Sequence, residues 1–339
     1  MKIKICISFL LGIISILGYA QNDTIKLANN DVLVGEIKEM DRSILVFSTS
    51  YDDSDFKIKW GEVREIKSDR EFIVSVADGE RITSTINSVP GKEMVVAVID
   101  EGNIEEYSLN RVVFIEPIGK NFLARLTVDL DLGLTVTKAN DFKQFTTNLQ
   151  ATYLATKWRG RGLYKTVLSR QDGSSDINRM DAEAGGEYYL PHDWFLQAKA
   201  IFLSNDEQLM TLRSTYHVCA GYYFIRNNNM FFSANAGLAQ TSENFSEGSP
   251  DRNSTEGYVA LGFNKYDIGN LSLQTTAALY PSFSQGGRYR VDFNFDMKYD
   301  LPLDFYIRLG LSYNYDNQPV EDASDSDYVF TTSFGWEWN

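Results

Sequence analysis

The sequence has few of the residues that supply reactive groups or covalent cross-links. Its 339 residues include only 2 Cys, 2 His and 7 Pro. Cys6 lies in the apolar N-terminal segment, so Cys219 is the one cysteine in the rest of the chain and an internal disulfide there is excluded. We interpret Cys219 as a buried small apolar residue, because no nucleophile partner or metal ligand can be placed near it.

Basic residues are also outnumbered, with 32 Lys and Arg against 46 Asp and Glu and a net charge of −14. This balance argues against nucleic-acid binding, because phosphates require a basic surface. No apolar run beyond the N-terminus is long enough for a transmembrane helix. A transmembrane β-barrel is still allowed, because its alternating strands average out to a polar-looking sequence.

The N-terminus has the pattern of an export signal. Lys2 and Lys4 precede an apolar stretch over 5–17, and Gly18-Tyr19-Ala20 supplies small residues before Gln21. The pattern predicts a signal peptide over 1–20 with cleavage between Ala20 and Gln21. A membrane anchor is disfavoured, because the apolar run is short and no basic residue follows it directly.

Residues 21–119 contain an internal repeat at an offset of 49 residues. The offset places Ile25 on Val74, Trp60 on Leu109 and Ile66 on Ile115 without a gap. It predicts two β units of about 23–68 and 72–118, each with short strands like those of SH3-like or Sm-like barrels. RNA binding is rejected for these acidic, exported units. A periplasmic docking module, a spacer or plug under a barrel, and a soluble β-domain of unknown partner all remain open.

Residues 120–339 alternate strictly between apolar and polar side chains. In the clearest segment, Tyr289, Val291 and Phe293 alternate with Arg290 and Asp292. The pattern predicts about twelve antiparallel strands, with ten to fourteen possible. The predicted strands are 124–137, 143–156, 160–170, 178–190, 194–204, 210–225, 230–242, 255–266, 270–282, 288–300, 304–315 and 327–338.

The connections between these strands alternate in length. Tight turns at 157–159, 191–193, 227–229, 267–269 and 301–303 are separated by longer polar loops. Short periplasmic turns and longer outer loops are typical of outer-membrane barrels, and an even strand number returns both ends to the periplasm. The sequence thus predicts an all-β protein, with an antiparallel transmembrane barrel at 120–339 in the outer membrane and residues 21–119 in the periplasm.

Three patterns carry a resemblance to a known family. They are the Ile25-x-Leu27-x-x-x-Asp31 turn, the Trp60-x-x-Val63-x-x-Ile66 ending, and the closing Phe334-Gly335-Trp336-Glu337-Trp338 segment. Together they resemble the YdiY-like salt-induced outer-membrane protein family, a Gram-negative group of unknown function. The barrel resemblance covers about 121–339. It implies an outer-membrane barrel and no catalytic residues.

The sequence offers no catalytic constellation and calls for no cofactor. His192 lies in a tight turn, and His217 lies on the opposite strand face from Ser214, so that pair cannot form a dyad. A hydrogen-bonding role inside the barrel is expected for His217. Asp322, Asp325 and Asp327 could form a weak cation site in an outer loop, although a solvated loop is favoured. A surface hydrolase or a cation-dependent adhesin using these acidic residues remains the alternative function.

Charged side chains are also predicted on the inward face of the barrel. The proposed lumen network consists of Arg125, Asp129, Asp131, Asp181, Glu183, Glu187, Arg290, Asp292, Asp296 and Lys298. Opposite charges should pair across a narrow lumen, because an unpaired buried charge is costly. The acids outnumber the bases there, so the expectation is a largely bridged interior that passes small cations weakly at most.

The leading expectation is therefore a non-enzymatic envelope protein, either a narrow pore or a structural barrel related to osmotic stress. Its expected surroundings are outer-membrane lipid and lipopolysaccharide. A periplasmic protein or peptidoglycan is the expected partner of residues 21–118, because a duplicated β module offers a long binding surface.

Overall fold

The computed structural model describes residues 23–336, apart from short gaps at 78–80, 93, 101–102, 120, 139–140, 172–176, 206–209, 246–249, 269, 303–304 and 320–324. The described residues form two antiparallel sheets, one of nine strands and one of twelve. We call them the N-terminal sheet (β1–β9) and the barrel sheet (β10–β21). No helix in this part of the chain is long and apolar enough to cross a membrane.

The nine strands of the N-terminal sheet are β1 Asp23–Leu27, β2 Val32–Asp41, β3 Ile44–Thr49, β4 Asp52–Lys59, β5 Val63–Val76, β6 Arg81–Ser88, β7 Val95–Asp100, β8 Asn103–Ser108 and β9 Val112–Pro117. The long strand β5 connects the two halves of this sheet. Its first half pairs with β1, matching Ile25 with Ile66, and its second half pairs with β9, matching Val74 with Ile115. These two matches are related by the 49-residue offset of the sequence repeat.

Both halves of the N-terminal sheet contribute to one hydrophobic core. Its fully buried side chains include Phe47 and Trp60 from the first half and Ile86 and Leu109 from the second. Trp60 donates a hydrogen bond from Nε1 to the carbonyl oxygen of Leu109 at 2.8 Å, which joins equivalent positions of the two repeats. The repeats therefore interlock around a shared core rather than enclosing two separate ones.

The twelve strands of the barrel sheet are β10 Leu126–Thr137, β11 Phe142–Leu154, β12 Trp158–Arg170, β13 Ile177–Tyr189, β14 Trp194–Asn205, β15 Met210–Arg226, β16 Met230–Phe245, β17 Arg252–Ile268, β18 Leu271–Pro281, β19 Tyr289–Asp300, β20 Phe305–Asp316 and β21 Ser326–Trp336. Each strand pairs with the next one in the sequence. The antiparallel twelve-stranded sheet predicted from alternation is thus confirmed, with strand ends within three residues of those predicted.

The largest differences from the prediction lie between β16 and β17. Both strands extend three residues further into a segment that was expected to be a polar loop, as shown by the match of Glu243 with Arg252. Polar residues such as Glu243 and Ser254 suggested a solvated loop, yet both side chains are buried. Their burial against other polar groups explains why the strands continue.

The two faces of the barrel sheet differ in chemistry. On the outer face, large apolar side chains are exposed over many strands, with Leu132 at 64%, Val218 at 60% and Phe330 at 59% exposure. Aromatic side chains lie near both strand ends, as Trp194 does at the start of β14 and Tyr328 at the start of β21. We call the end with the short connections, such as 227–229, the turn end, and the other end the loop end.

The shared core predicts that one half of the N-terminal sheet depends on the other. Replacing Trp60 by Phe removes the indole donor to Leu109, whose carbonyl oxygen keeps only the Val112 N–H, and the lost hydrogen bond costs about 0.5–1.5 kcal/mol. Hydrogen-exchange mass spectrometry should show exchange about two- to tenfold faster at β9, the strand from the other repeat. Tyr51→Phe, at an exposed position, is the control and should change nothing. Unchanged protection of β9 in Trp60→Phe would contradict the shared core.

Candidate functional site

A cluster of six charged side chains lies inside the barrel sheet near the loop end. This interior ion-pair cluster consists of Arg213, Glu243, Glu256, Arg288, Arg290 and Asp316. Arg288 is central, with Nη2 at 3.2 Å from Glu243 Oε2 and 2.6 Å from Asp316 Oδ2. Arg213 reaches Glu243 at 2.8 Å.

The second half of the same cluster is built on β17 and β19. Arg290 Nη2 lies 2.6 Å from Glu256 Oε2, and the Thr241 hydroxyl donates to Glu256 at 3.1 Å. Glu243 and Glu256 are essentially inaccessible to solvent. Carboxylates in such surroundings are tolerated because each has an arginine and further hydrogen bonds as partners.

Four members of this cluster were missed in the sequence: Glu243, Glu256, Arg288 and Asp316. A signal for two of them was present in the strand parity. Glu243 continues the inward series of Gly237, Ala239 and Thr241, and Glu256 begins the inward series that reaches Tyr258. Glu243 lies one residue beyond the predicted strand 230–242, whereas Glu256 lies inside the predicted strand 255–266 and was not counted among its inward residues.

The predicted lumen residues mostly pair along the wall of the barrel rather than across it. Glu187 pairs with Arg159 at 3.0 Å and Glu183 with Lys199 at 2.9 Å, in both cases between adjacent strands. Asp296 accepts two bonds from Arg308, at 2.9 and 3.1 Å. Asp181 pairs with Arg179 of its own strand at 2.9 Å, and Arg290 with Glu256 two strands away. Pairing along the wall prevails because opposed side chains on adjacent strands are already about 5 Å apart.

The remaining predicted lumen residues are more varied. Arg125 precedes β10 in a short turn and donates to the carbonyl oxygen of Gly119 at 2.7 Å, so it is not part of an interior network. Asp129 and Asp131 are exposed on β10, and Asp131 accepts a bond from Asn148 at 2.9 Å. Asp292 interacts with the Tyr280 hydroxyl. Lys298 lies 3.1 Å from Asp300.

His217 and Cys219 lie in an aromatic part of the interior. The ring of His217 lies against Tyr258 with centroids 4.6 Å apart, and Tyr258 packs in turn on Tyr280. Neither ring nitrogen of His217 has a hydrogen-bond partner among the described residues, so the expected hydrogen-bonding role is replaced by ring packing. Cys219 is a buried free thiol, as expected.

The N-terminal sheet contacts the turn end of the barrel sheet directly. The hydroxyls of Thr83 and Thr156 are 2.6 Å apart, and the Asn228 side chain donates to the carbonyl oxygens of Asn110 and Val112 at 3.1 and 2.8 Å. Leu154, at the end of β11, packs in an apolar cluster with side chains of the N-terminal sheet, namely Ile73, Phe114 and Ile118.

Arg81 is the main charged residue of this contact. Its guanidinium lies 4.3 Å from the ring centroid of Tyr189 and 5.3 Å from that of Phe114. Burial lowers the pKa of Arg81 below its ordinary value. Burial, together with the nearby Glu39, raises the pKa of Glu116 above the usual range for a carboxyl. Both directions reflect the partial burial of these groups where the two sheets meet.

The other predicted sites are only partly visible. Asp325 accepts a bond from the Ser326 hydroxyl at 3.0 Å, whereas Asp322 and the side chain of Asp327 lie outside the described residues. The predicted cleavage site at Ala20 and Gln21 also lies outside them. Within the described ranges, no group of three or more His, Cys, Asp or Glu side chains is arranged to hold a metal ion.

These features define the class as an all-β protein whose twelve-stranded antiparallel sheet has a β-barrel architecture. Residues 130–338 match the family described as "Protein of unknown function, DUF481", and the chain belongs to that family. No curated protein matches the chain. Among solved structures it is similar to the "Crystal Structure of the Beta Domain of the Bordetella Autotransporter Brka", at 12% identity and a TM-score of 0.28, over 61% of this chain and 94% of that one.

The interior ion-pair cluster predicts that two matched substitutions lower the free energy of unfolding by very different amounts. Glu243→Gln leaves Arg213 without its carboxylate partner and leaves Arg288 with Asp316 alone, in a buried place, so the folded state should lose about 3–5 kcal/mol. Asp296→Asn breaks a pair whose side chains are half-exposed, and should cost less than about 1 kcal/mol. Urea titration of the purified protein in detergent, followed on gels by the shift from folded to unfolded mobility, measures both. Equal midpoints would contradict the structural role of the cluster.

Proposed function

We propose that this chain is a non-enzymatic envelope protein whose barrel sheet spans the outer membrane and whose N-terminal sheet covers the periplasmic mouth as a plug. The observation that carries the proposal is the direct seating of the N-terminal sheet on the turn end. Export through the predicted signal peptide, and short turns on the periplasmic side, fit the same orientation.

The membrane part of the proposal is supported by the outer face of the barrel sheet. A soluble sheet would be expected to cover side chains such as Leu132, Val218 and Phe330, because large contiguous apolar surfaces in water favour association. In a bilayer the same surface faces acyl chains. Aromatic side chains at both strand ends, such as Trp194 and Tyr328, suit the two membrane interfaces.

A charged side chain on the outer face tests the membrane location. Val218 is central in β15, so Val218→Arg should cost about 2–4 kcal/mol in a bilayer, and Gln240→Arg nearer the loop end about 0–1 kcal/mol. Fractionation of cells and heat-modifiable gel mobility should show wild type and Gln240→Arg folded in the outer membrane, with Val218→Arg strongly depleted. Recovery of the wild type as a soluble periplasmic protein would refute the proposal.

The plug part of the proposal is supported by the kind of contacts at the turn end. They combine hydrogen bonds from Asn228, an apolar cluster around Leu154, and the guanidinium of Arg81 on Tyr189. Contacts at Thr156, Tyr189 and Asn228, in or beside three separate turns, support seating of the N-terminal sheet across the turn end. Such a cover, together with the ion pairs of the interior, favours a closed or weakly conducting barrel over an open porin.

A disulfide can report whether the two sheets meet in the cell. Thr83→Cys with Thr156→Cys should form a disulfide in the oxidising periplasm, because the two hydroxyl oxygens are 2.6 Å apart and Cys219 is buried. The control pair Thr83→Cys with Thr137→Cys should stay reduced, because Thr137 ends β10 at the loop end. Non-reducing gels of intact cells distinguish the disulfide-bonded variant from the reduced control variant.

The Thr83→Cys, Thr156→Cys variant also tests whether the N-terminal sheet blocks the barrel or only lies next to it. In planar bilayers the disulfide-locked protein should conduct no more than wild type, and deletion of residues 21–118 should raise the conductance. The plug proposal would be contradicted if the cysteines at 83 and 156 stayed reduced in cells, or if deletion of residues 21–118 left the conductance unchanged.

A further inference from the structure

A hollow of about 340 Å³ lies on the inner face of the barrel sheet, across its last four strands, β18–β21. We call it the inner hollow. Its positions have the same parity on β19 as Arg290 of the interior ion-pair cluster, so they face the interior. Two cross-strand rows line it: Gln274, Asp296, Gly310 and Thr331 in one, and Thr276, Asn294 and Ser312 in the next.

Gly310 keeps this space open. A Cβ atom at this position would lie only 2.5 Å from the Thr331 hydroxyl and 4.0 Å from Asp296 Oδ2, so a larger residue would push into the gap between those two side chains. Elsewhere in the interior, large side chains such as Tyr258 and Arg288 are packed and buried. The volume of the inner hollow lies at the lower end of the range for small-molecule sites.

Several uncharged groups that face the inner hollow have unused hydrogen-bonding capacity. In the part of the chain that the structure describes, the side chains of Gln274, Thr276 and Thr331 have no hydrogen-bond partner, and all three are exposed. An amide and two hydroxyls offer both donors and acceptors at close quarters. The next row adds an ordered polar pair, because the Ser312 hydroxyl donates to Asn294 Oδ1 at 3.0 Å.

The charged side chains that line the inner hollow neutralise each other. Arg308 donates to the two carboxylate oxygens of Asp296 at 2.9 and 3.1 Å, and both side chains are about half-exposed. A pair joined by two such bonds has a fixed geometry, yet each partner keeps further donors or lone pairs for a ligand. A site without net charge gives neither cations nor anions an advantage, whereas hydroxyl groups can both donate to Asp296 and accept from Arg308.

We propose that the inner hollow binds a neutral polyhydroxylated molecule of about the size of a monosaccharide. Gln274, Thr276 and Thr331 bond to its hydroxyl groups, and the Asp296–Arg308 pair contacts two neighbouring ones. This binding goes beyond the proposed envelope function, because it requires the folded barrel sheet but neither the membrane location nor the plug.

Saturation-transfer NMR with D-glucose and with myo-inositol tests the site on the full-length protein, in a detergent that has no sugar group. Wild type should give a saturable signal with at least one of them. Gln274→Leu with Thr276→Val removes hydrogen-bonding groups that no other part of the fold uses, and should weaken binding about tenfold or more. The control, Thr135→Val with Gln144→Leu, makes the same chemical change at a cross-strand pair of β10 and β11 outside the inner hollow, and should bind as wild type.

Two further measurements separate this site from a merely hydrated wall. Gly310→Ala, checked for folded gel mobility, should also weaken binding, because its methyl group narrows the inner hollow. D-glucuronate and protonated D-glucosamine should bind no more tightly than D-glucose.

The proposal is overturned if neither neutral probe gives a saturable signal, if the Gln274/Thr276 variant binds as tightly as its control, or if a charged sugar binds tenfold more tightly than D-glucose. Failure of the fractionation test would remove the membrane function but leave the NMR result standing.

Discussion

The alternation of side chains with a period of two, kept in register across twelve strands, is the constraint on which the rest of the structure depends. A slip of one residue between neighbouring strands would send every outward side chain inward. It would bring Val218 into the interior and turn Glu243 toward the outer surface. The interior ion-pair cluster shows the benefit of correct register. Its members come from β15, β16, β17, β19 and β20, and Arg288 comes from the connection just before β19. They meet only if all those ladders are aligned.

The N-terminal sheet follows a different principle, in which one strand serves two halves. Because β5 pairs with β1 at one end and with β9 at the other, the halves cannot separate without breaking a continuous strand. This gives a rigid body that can seat on several turns at once. The same seating leaves a cleft beside the turn-end parts of β17–β20.

Much of the fold could be predicted from the sequence, because alternation and turn residues act locally. For this reason the predicted limits of the twelve barrel strands agree with the observed ones to within three residues. The interior could be predicted only in part: Glu183, Glu187 and Asp296 were placed on inward positions, but their partners depend on which strands are adjacent and how far apart they lie. The polar end of β16 hid Glu243, since a buried ion pair and a solvated loop have the same composition, and Glu256 lay inside its predicted strand with no local sign of its partner Arg290. The contacts of Thr83 and Asn228 had no local signal at all, because they exist only between the two sheets.

The two pairing schemes also imply an order of assembly. In the barrel sheet each hairpin closes a short loop, so its pairing carries little loop-closure entropy and can proceed strand by strand along the chain. The N-terminal sheet instead matches Met40 with Ile115, which requires most of the first 117 residues to be present before the core can close. The two halves of this sheet can therefore close their shared core only when Val112–Pro117 is in place. The contacts of Thr83 and Asn228 need the turns of the barrel sheet as well, so they can form only after the neighbouring strands have paired.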